Sequence, residues 1–79
     1  MDFIGEFGLG DYLKYKSRYG KIEYLGFNGN NELIVHIRWF RIDKKIQKVR
    51  KERYATSYHR WILYKSEKVN KSSVFLELL

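Results

Sequence analysis

The sequence predicts a mainly β fold: a small, strongly bent antiparallel barrel of five short strands, with an open sheet crossed by one helix as the alternative, in a single domain spanning residues 1–79. Three observations carry this expectation. The run from Glu32 to Phe40 is dense in β-branched and aromatic side chains, which suit a pleated, half-buried surface. Asn28 and Gly29 stand between two strand-like runs, and this pair tolerates the positive φ of a hairpin turn. Aromatic residues make up 18% of the chain and include seven tyrosines, so a small domain has large rings to bury while their polar tips stay hydrated.

Size and composition narrow the chemistry. A chain of 79 residues buries only about 60% of its unfolded surface, so the core is small. There is no cysteine to supply a disulfide or a thiolate zinc site, and His36 and His59 are too few for a metal cage built from histidine alone. The sequence therefore names no metal and no cofactor. No apolar run approaches the roughly 20 residues of a membrane span, and Met1 to Gly10 lacks the basic start and cleavage site of a secretory leader. The expectation is an intracellular protein, nuclear or cytoplasmic, without a membrane partner.

Taken in order, residues 1–10 read as an irregular lead-in whose apolar Phe3, Ile4, Phe7 and Leu9 cover one end of the core, with the barrel over 11–79. Asp11 to Lys16 alternates, with Leu13 and Tyr15 on one face and Lys14 and Lys16 on the other, the period of a half-buried strand. Ser17 to Gly20 reads as a turn closed by glycine. Lys21 to Phe27 forms the second strand, in which Leu25 breaks the alternation and Gly26 marks a bulge or bend. In the third strand Leu33, Val35, Ile37 and Trp39 share the core face, and Ile34, His36, Arg38 and Phe40 the other. Over 42–53 the residues allow two forms. Ile42, Ile46, Val49 and Arg53 fall at helical spacing, giving a short basic helix; the same run lacks clean helix signals and fits an extended basic β-hairpin arm. Tyr54 to Lys65 reads as the fourth strand, Ser66 to Ser73 as a loop, and Val74 to Leu79 as a fifth strand or a helical turn. Proline is absent, so no strand is barred from the sheet interior.

Gly10 to Lys16, followed by Tyr19, Gly20, Lys21, Ile22 and Glu23, resembles the opening of small SH3-like barrels, a layout shared by Tudor-like chromatin readers. Val35 to Arg41 is similar to the central strand of bromo-adjacent-homology domains, an aliphatic alternation running into tryptophan, an aromatic and arginine. Beyond Arg41 the chain departs from that family, with Ile42, Asp43 and lysines where proline and acidic residues would follow. The resemblance covers residues 10–41 and implies a five-stranded SH3-like antiparallel barrel and, as one functional option, a chromatin-type reader. In that option Tyr15, Tyr19, Tyr24 and Trp39 would cage a methylated lysine.

The charge pattern points elsewhere. Between Arg38 and Arg53 eight basic residues face only Asp43 and Glu52, a surplus of six within the chain's formal +7. Clustered lysine and arginine neutralise phosphates and release condensed counterions. The leading expectation is a non-catalytic nucleic-acid-binding domain of low sequence specificity, DNA favoured over RNA. Its contacts are Arg38, Arg41, Lys44, Lys45, Lys48, Arg50, Lys51, Arg53 and Arg60, with Phe40, Tyr54 and Tyr58 as aromatic contacts. Arginines anchor through paired donors and lysines attract as point charges. The alternative is an interaction module for a methylated peptide, or for a host factor bound through the exposed strand face, as a monomer or as a homodimer paired edge to edge. Enzymatic constellations are missing from the sequence: no GxSxG, no phosphate-binding glycine loop with its lysine, and carboxylates scattered without metal-ligand spacing. The protein is therefore expected not to be an enzyme.

Overall fold

The computed structural model describes residues 2–43 and 45–78, the last three for their backbone alone. The protein is mainly β, with antiparallel sheets and, among the described residues, two short helices. The lead-in is a small hairpin of its own. Strands β1 (Phe3–Ile4) and β2 (Phe7–Gly8) pair around Gly5, whose φ of +61° suits glycine. Its Ile4 and Phe7 are buried in the main core, but Phe3 and Leu9, expected to cover the core with them, are exposed, since Phe3 alternates with Ile4 along the strand and Leu9 falls in the turn after β2.

Strand β3 (Tyr12–Tyr15) pairs antiparallel with β4 (Arg18–Phe27), and Tyr15 opposite Arg18 leaves Lys16 and Ser17 as the turn. Lys16 carries the positive φ, +55°. Gly20 is thus not a turn residue. It lies inside β4 opposite Trp39, where a Cβ would come within 2.5 Å of Ile37 Cγ2 and 2.9 Å of Trp39 Cε3. The expected bulge also moves. It falls between Ile22 and Tyr24 rather than at Gly26, and the extra residue brings Leu25 onto the face of Ile22. Both are buried together, which explains the broken alternation.

Strand β5 (Leu33–Asp43) is the spine of the molecule. The connection from β4 runs through residues 28–32, tied by Asn28 Oδ1, which accepts from the Asn30 and Glu32 amides at 2.9 and 3.0 Å. The hairpin is present as expected, but Asn31 supplies its positive φ rather than Gly29. Along one edge β5 pairs with β4 from Leu33 to Trp39. Along the other, Phe40 to Asp43 pair with β6 (Lys48–Lys51) and Ile34 to Ile37 with β7 (Thr56–His59). The expected fourth strand is therefore shorter, and its second half is helix α1 (Trp61–Tyr64). Ile62 and Leu63, neighbours in sequence, are both buried, which a helical turn under the sheet allows and a one-faced strand does not.

The supposed loop after it contains β8 (Glu67–Val69), which pairs with β3, and the terminal segment is helix α2 (Lys71–Leu78) rather than a fifth strand. The strand path β6-β5-β4-β3-β8, with β7 beside β5, stays open at both ends among the described residues. Each face of the sheet carries a core cluster. Leu13, Ile22, Leu25, Val35, Ile37 and Trp39 pack with Ile62 and Leu63 on one side. On the other, Tyr19, Phe40 and Val74 pack with Tyr12, Val49 and Val69, so α2 covers what a one-sided strand would leave wet.

Candidate nucleic-acid interface

Beyond Trp39, β5 outruns β4, and β6 is its only strand partner among the described residues. The result is a two-stranded arm, the hairpin form of the two that the sequence allows. Eleven residues of β5 span about 36 Å at the usual rise. The body measures 42 × 23 × 18 Å. The radius of gyration of 12.8 Å exceeds the roughly 11.6 Å of a compact chain of this length, in keeping with a projection.

Register decides which way the arm's side chains face. Arg41 lies opposite Arg50 and Asp43 opposite Lys48, so these four share one face; Phe40 opposite Lys51 and Ile42 opposite Val49 share the other. The first face is basic, since Arg41, Lys48 and Arg50 surround one carboxylate. The second is apolar apart from Lys51: Phe40 is buried and Val49 packs against the second core, while Ile42 is 40% exposed. Lys45 and Ile46 lie exposed on the connection between the strands, where Gln47 takes a φ of +50°. Lys44 lies outside the described residues.

Among the described residues, two of the clustered cations, Arg38 and Arg50, are tied to carboxylates. Arg38 is turned inward: Nε donates to Glu23 Oε2 at 2.8 Å, and Nη1 donates to the carbonyls of Glu52 and Arg53 at 3.1 and 3.0 Å. It is a structural clamp and leaves the expected contact surface. Arg50 Nε meets Asp43 Oδ2 at 3.2 Å while the side chain stays 57% exposed, so it keeps donors for a ligand. Arg41, Lys45, Lys48, Lys51 and Arg60 have no ion-pair partner among the described residues.

The aromatic expectations divide. Phe40 is 6% exposed, stacked on Tyr12 at 5.9 Å and edge-on to Phe75, so it belongs to the second core and is not a ligand contact. Tyr54 is 72% exposed beside the arm's root, with the Arg53 guanidinium 5.4 Å from its ring centroid. Tyr58 is half-buried, and its hydroxyl accepts from Trp39 Nε1 at 2.9 Å. Arg60 is exposed but stands apart. It follows the His59–Ile34 pair, six residues along β5 from Phe40, about 20 Å away. The four rings expected to cage a methylated lysine do not converge. Trp39 is sealed in the first core beneath the Arg18 guanidinium, Tyr19 in the second, and Tyr24 lies on His36. Trp61, at the start of α1 and 47% exposed, is the aromatic that sequence reasoning left off the contact surface. The sequence does place it, with Trp39, Phe40, Tyr54 and Tyr58, among the rings that bracket the basic run.

No group of three or more His, Asp or Glu side chains among the described residues is placed to hold a metal ion, and no helix there is long and apolar enough to cross a membrane. No protein-family model, curated protein or solved structure matches the chain.

Proposed function

We propose that the protein is a non-catalytic nucleic-acid-binding domain of low sequence specificity that lays its basic arm along the sugar-phosphate backbone of DNA. The observation that carries this is the register of the arm, which gathers Arg41, Lys48 and Arg50 on one face of a ribbon projecting from the sheet. Lys51, Arg53 and Tyr54 flank its root and Lys45 its tip. A two-stranded ribbon fits the roughly 12 Å major groove of B-form DNA, whereas the major groove of A-form RNA is too narrow to admit one. This favours DNA over RNA. Phosphate contacts position a protein without reading bases, which accounts for low specificity.

The fold is read with it as a small SH3-like barrel carrying a basic arm, supported by consecutive antiparallel strands joined through short turns. The setting is inside the cell. The alternative, an interaction module for a methylated peptide, lacks the converging rings it needs; a protein partner at the outer edges of β7 and β8, unpaired among the described residues, is its remaining form.

The test is a duplex DNA titration across salt concentrations. Log affinity should fall linearly with log salt, with a slope of about −0.9 per phosphate neutralised. Affinity indifferent to salt, or no binding at low salt, overturns the proposal.

A further inference from the structure

A groove at the far end of the same β5 edge is separate from the arm. Asn28, Ile34, Ser57, Tyr58, His59 and Trp61 line it. Trp61 leaves nearly half of a large apolar ring in water, at 47% exposure. Its position is fixed from behind: Tyr15 meets it edge-on at 6.0 Å and Tyr58 at 6.5 Å, and Tyr58 is hydrogen-bonded to the buried Trp39. A wall locked in this way loses little side-chain freedom when a flat ligand settles against it.

The polar groups of the groove have capacity to spare. Asn28 Nδ2 donates to Glu32 Oε1 at 3.2 Å, which uses one of its two hydrogens. His59 meets the same carboxylate through Nε2 at 3.2 Å, leaving Nδ1 unused, and the Ser57 hydroxyl has no hydrogen-bond partner among the described residues. An indole wall beside an amide, a hydroxyl and an imidazole suits a planar ring with a polar edge. The surrounding charge narrows the class. Glu32, the carboxylate at the groove, is engaged by Asn28 and His59, while Arg60 is exposed next to Trp61.

Resting on the nucleic-acid reading above, we infer that this groove receives an unpaired nucleobase stacked on Trp61. Asn28, Ser57 and His59 meet the edge of the base and Arg60 takes the adjoining phosphate. The ligand is thus a nucleic acid with at least one base outside the duplex stack. Stacking tolerates any base because each has a π-face, so the site adds affinity for single-stranded segments without imposing a sequence.

The experiment titrates the full chain with three probes of equal length: a single-stranded oligonucleotide, its duplex, and an abasic oligonucleotide with the same phosphates. Tryptophan fluorescence and affinity are read together. The base-bearing single strand should quench Trp61 and bind about tenfold or more tighter than the abasic probe. That advantage should vanish in Trp61→Ala, and in Ser57→Leu, which fills the groove from an exposed position should the first variant not fold. Equal affinity for base-bearing and abasic strands without quenching overturns the groove and leaves the arm standing. Equal quenching by the duplex also overturns it, because paired bases cannot enter. No binding by any probe fells the nucleic-acid reading itself.

Discussion

Arg38 Nε donates to Glu23 Oε2 across the β4–β5 pair at 2.8 Å, and this contact aims the rest of the guanidinium at the carbonyls of Glu52 and Arg53. One side chain thereby fixes the segment between β6 and β7, where the chain leaves the arm and rejoins the sheet. Arg38→Ala should cost about 1.5–3 kcal/mol in denaturant unfolding, the range for hydrogen bonds involving a charged group. Arg38→Lys should recover part of it, since an ammonium keeps the ion pair but lacks the planar fork that reaches two carbonyls as well. The salt slope of DNA binding should be unchanged in both.

Reversing the arm's free cations should separate binding from folding. In Arg41→Glu, Lys48→Glu, Lys51→Glu each change removes two charges, taking the formal net charge from +7 to about +1. All three side chains are exposed, so unfolding free energy should move by no more than about 0.5 kcal/mol per site. DNA affinity measured by anisotropy should disappear at physiological salt.

Phe40 should behave in the opposite way. Buried between Tyr12, Val74 and Phe75, it should cost about 3–5 kcal/mol on truncation to alanine, seen as a lower denaturation midpoint. The fraction that remains folded should bind DNA with an undiminished salt slope.

Gly20→Ala probes the closest approach of β4 to β5. Its methyl group would collide with Ile37 and Trp39, both fully packed, and should destabilise the fold by about 1–3 kcal/mol. Gly29→Ala meets nothing within 4 Å and should be neutral, so thermal unfolding of the pair is an internally controlled comparison.

Tyr58→Phe removes the acceptor of the Trp39 indole N–H while leaving the ring in place. An unpaired donor at 2% exposure should cost about 1–3 kcal/mol, and the near-ultraviolet dichroism of the buried tryptophan should change with it.

Much of the sheet was legible because alternation reports burial directly: Leu13 with Tyr15, and Val35, Ile37 with Trp39, fall on one core as their spacing implies. What the sequence left open or missed has particular causes. Ile42 and Val49 share a face in a helix, but they also do so as a cross-strand pair, so their spacing cannot tell the two forms apart. Strand β8 pairs through its backbone while exposing Glu67 and Lys68, leaving no apolar signature. Phe40 stands on the polar face of β5, and only α2, more than thirty residues later, makes that face an interior. The basic cluster is visible in the sequence as a run of letters. The partner of each cation is not, since Arg38 and Glu23 lie 15 positions apart and meet only through strand register.

Pairs in β6 and β5 obey one register and pairs in β7 and β5 another, offset by two positions, with the discontinuity falling at residues 52–55. Side chains on a strand alternate with a period of two, so this offset keeps inside and outside in phase across the gap. The projecting ribbon is consequently a module whose reach is free to vary. Adding two residues to each of its strands would carry the tip about 7 Å farther while leaving every pairing in the body of the sheet as it stands.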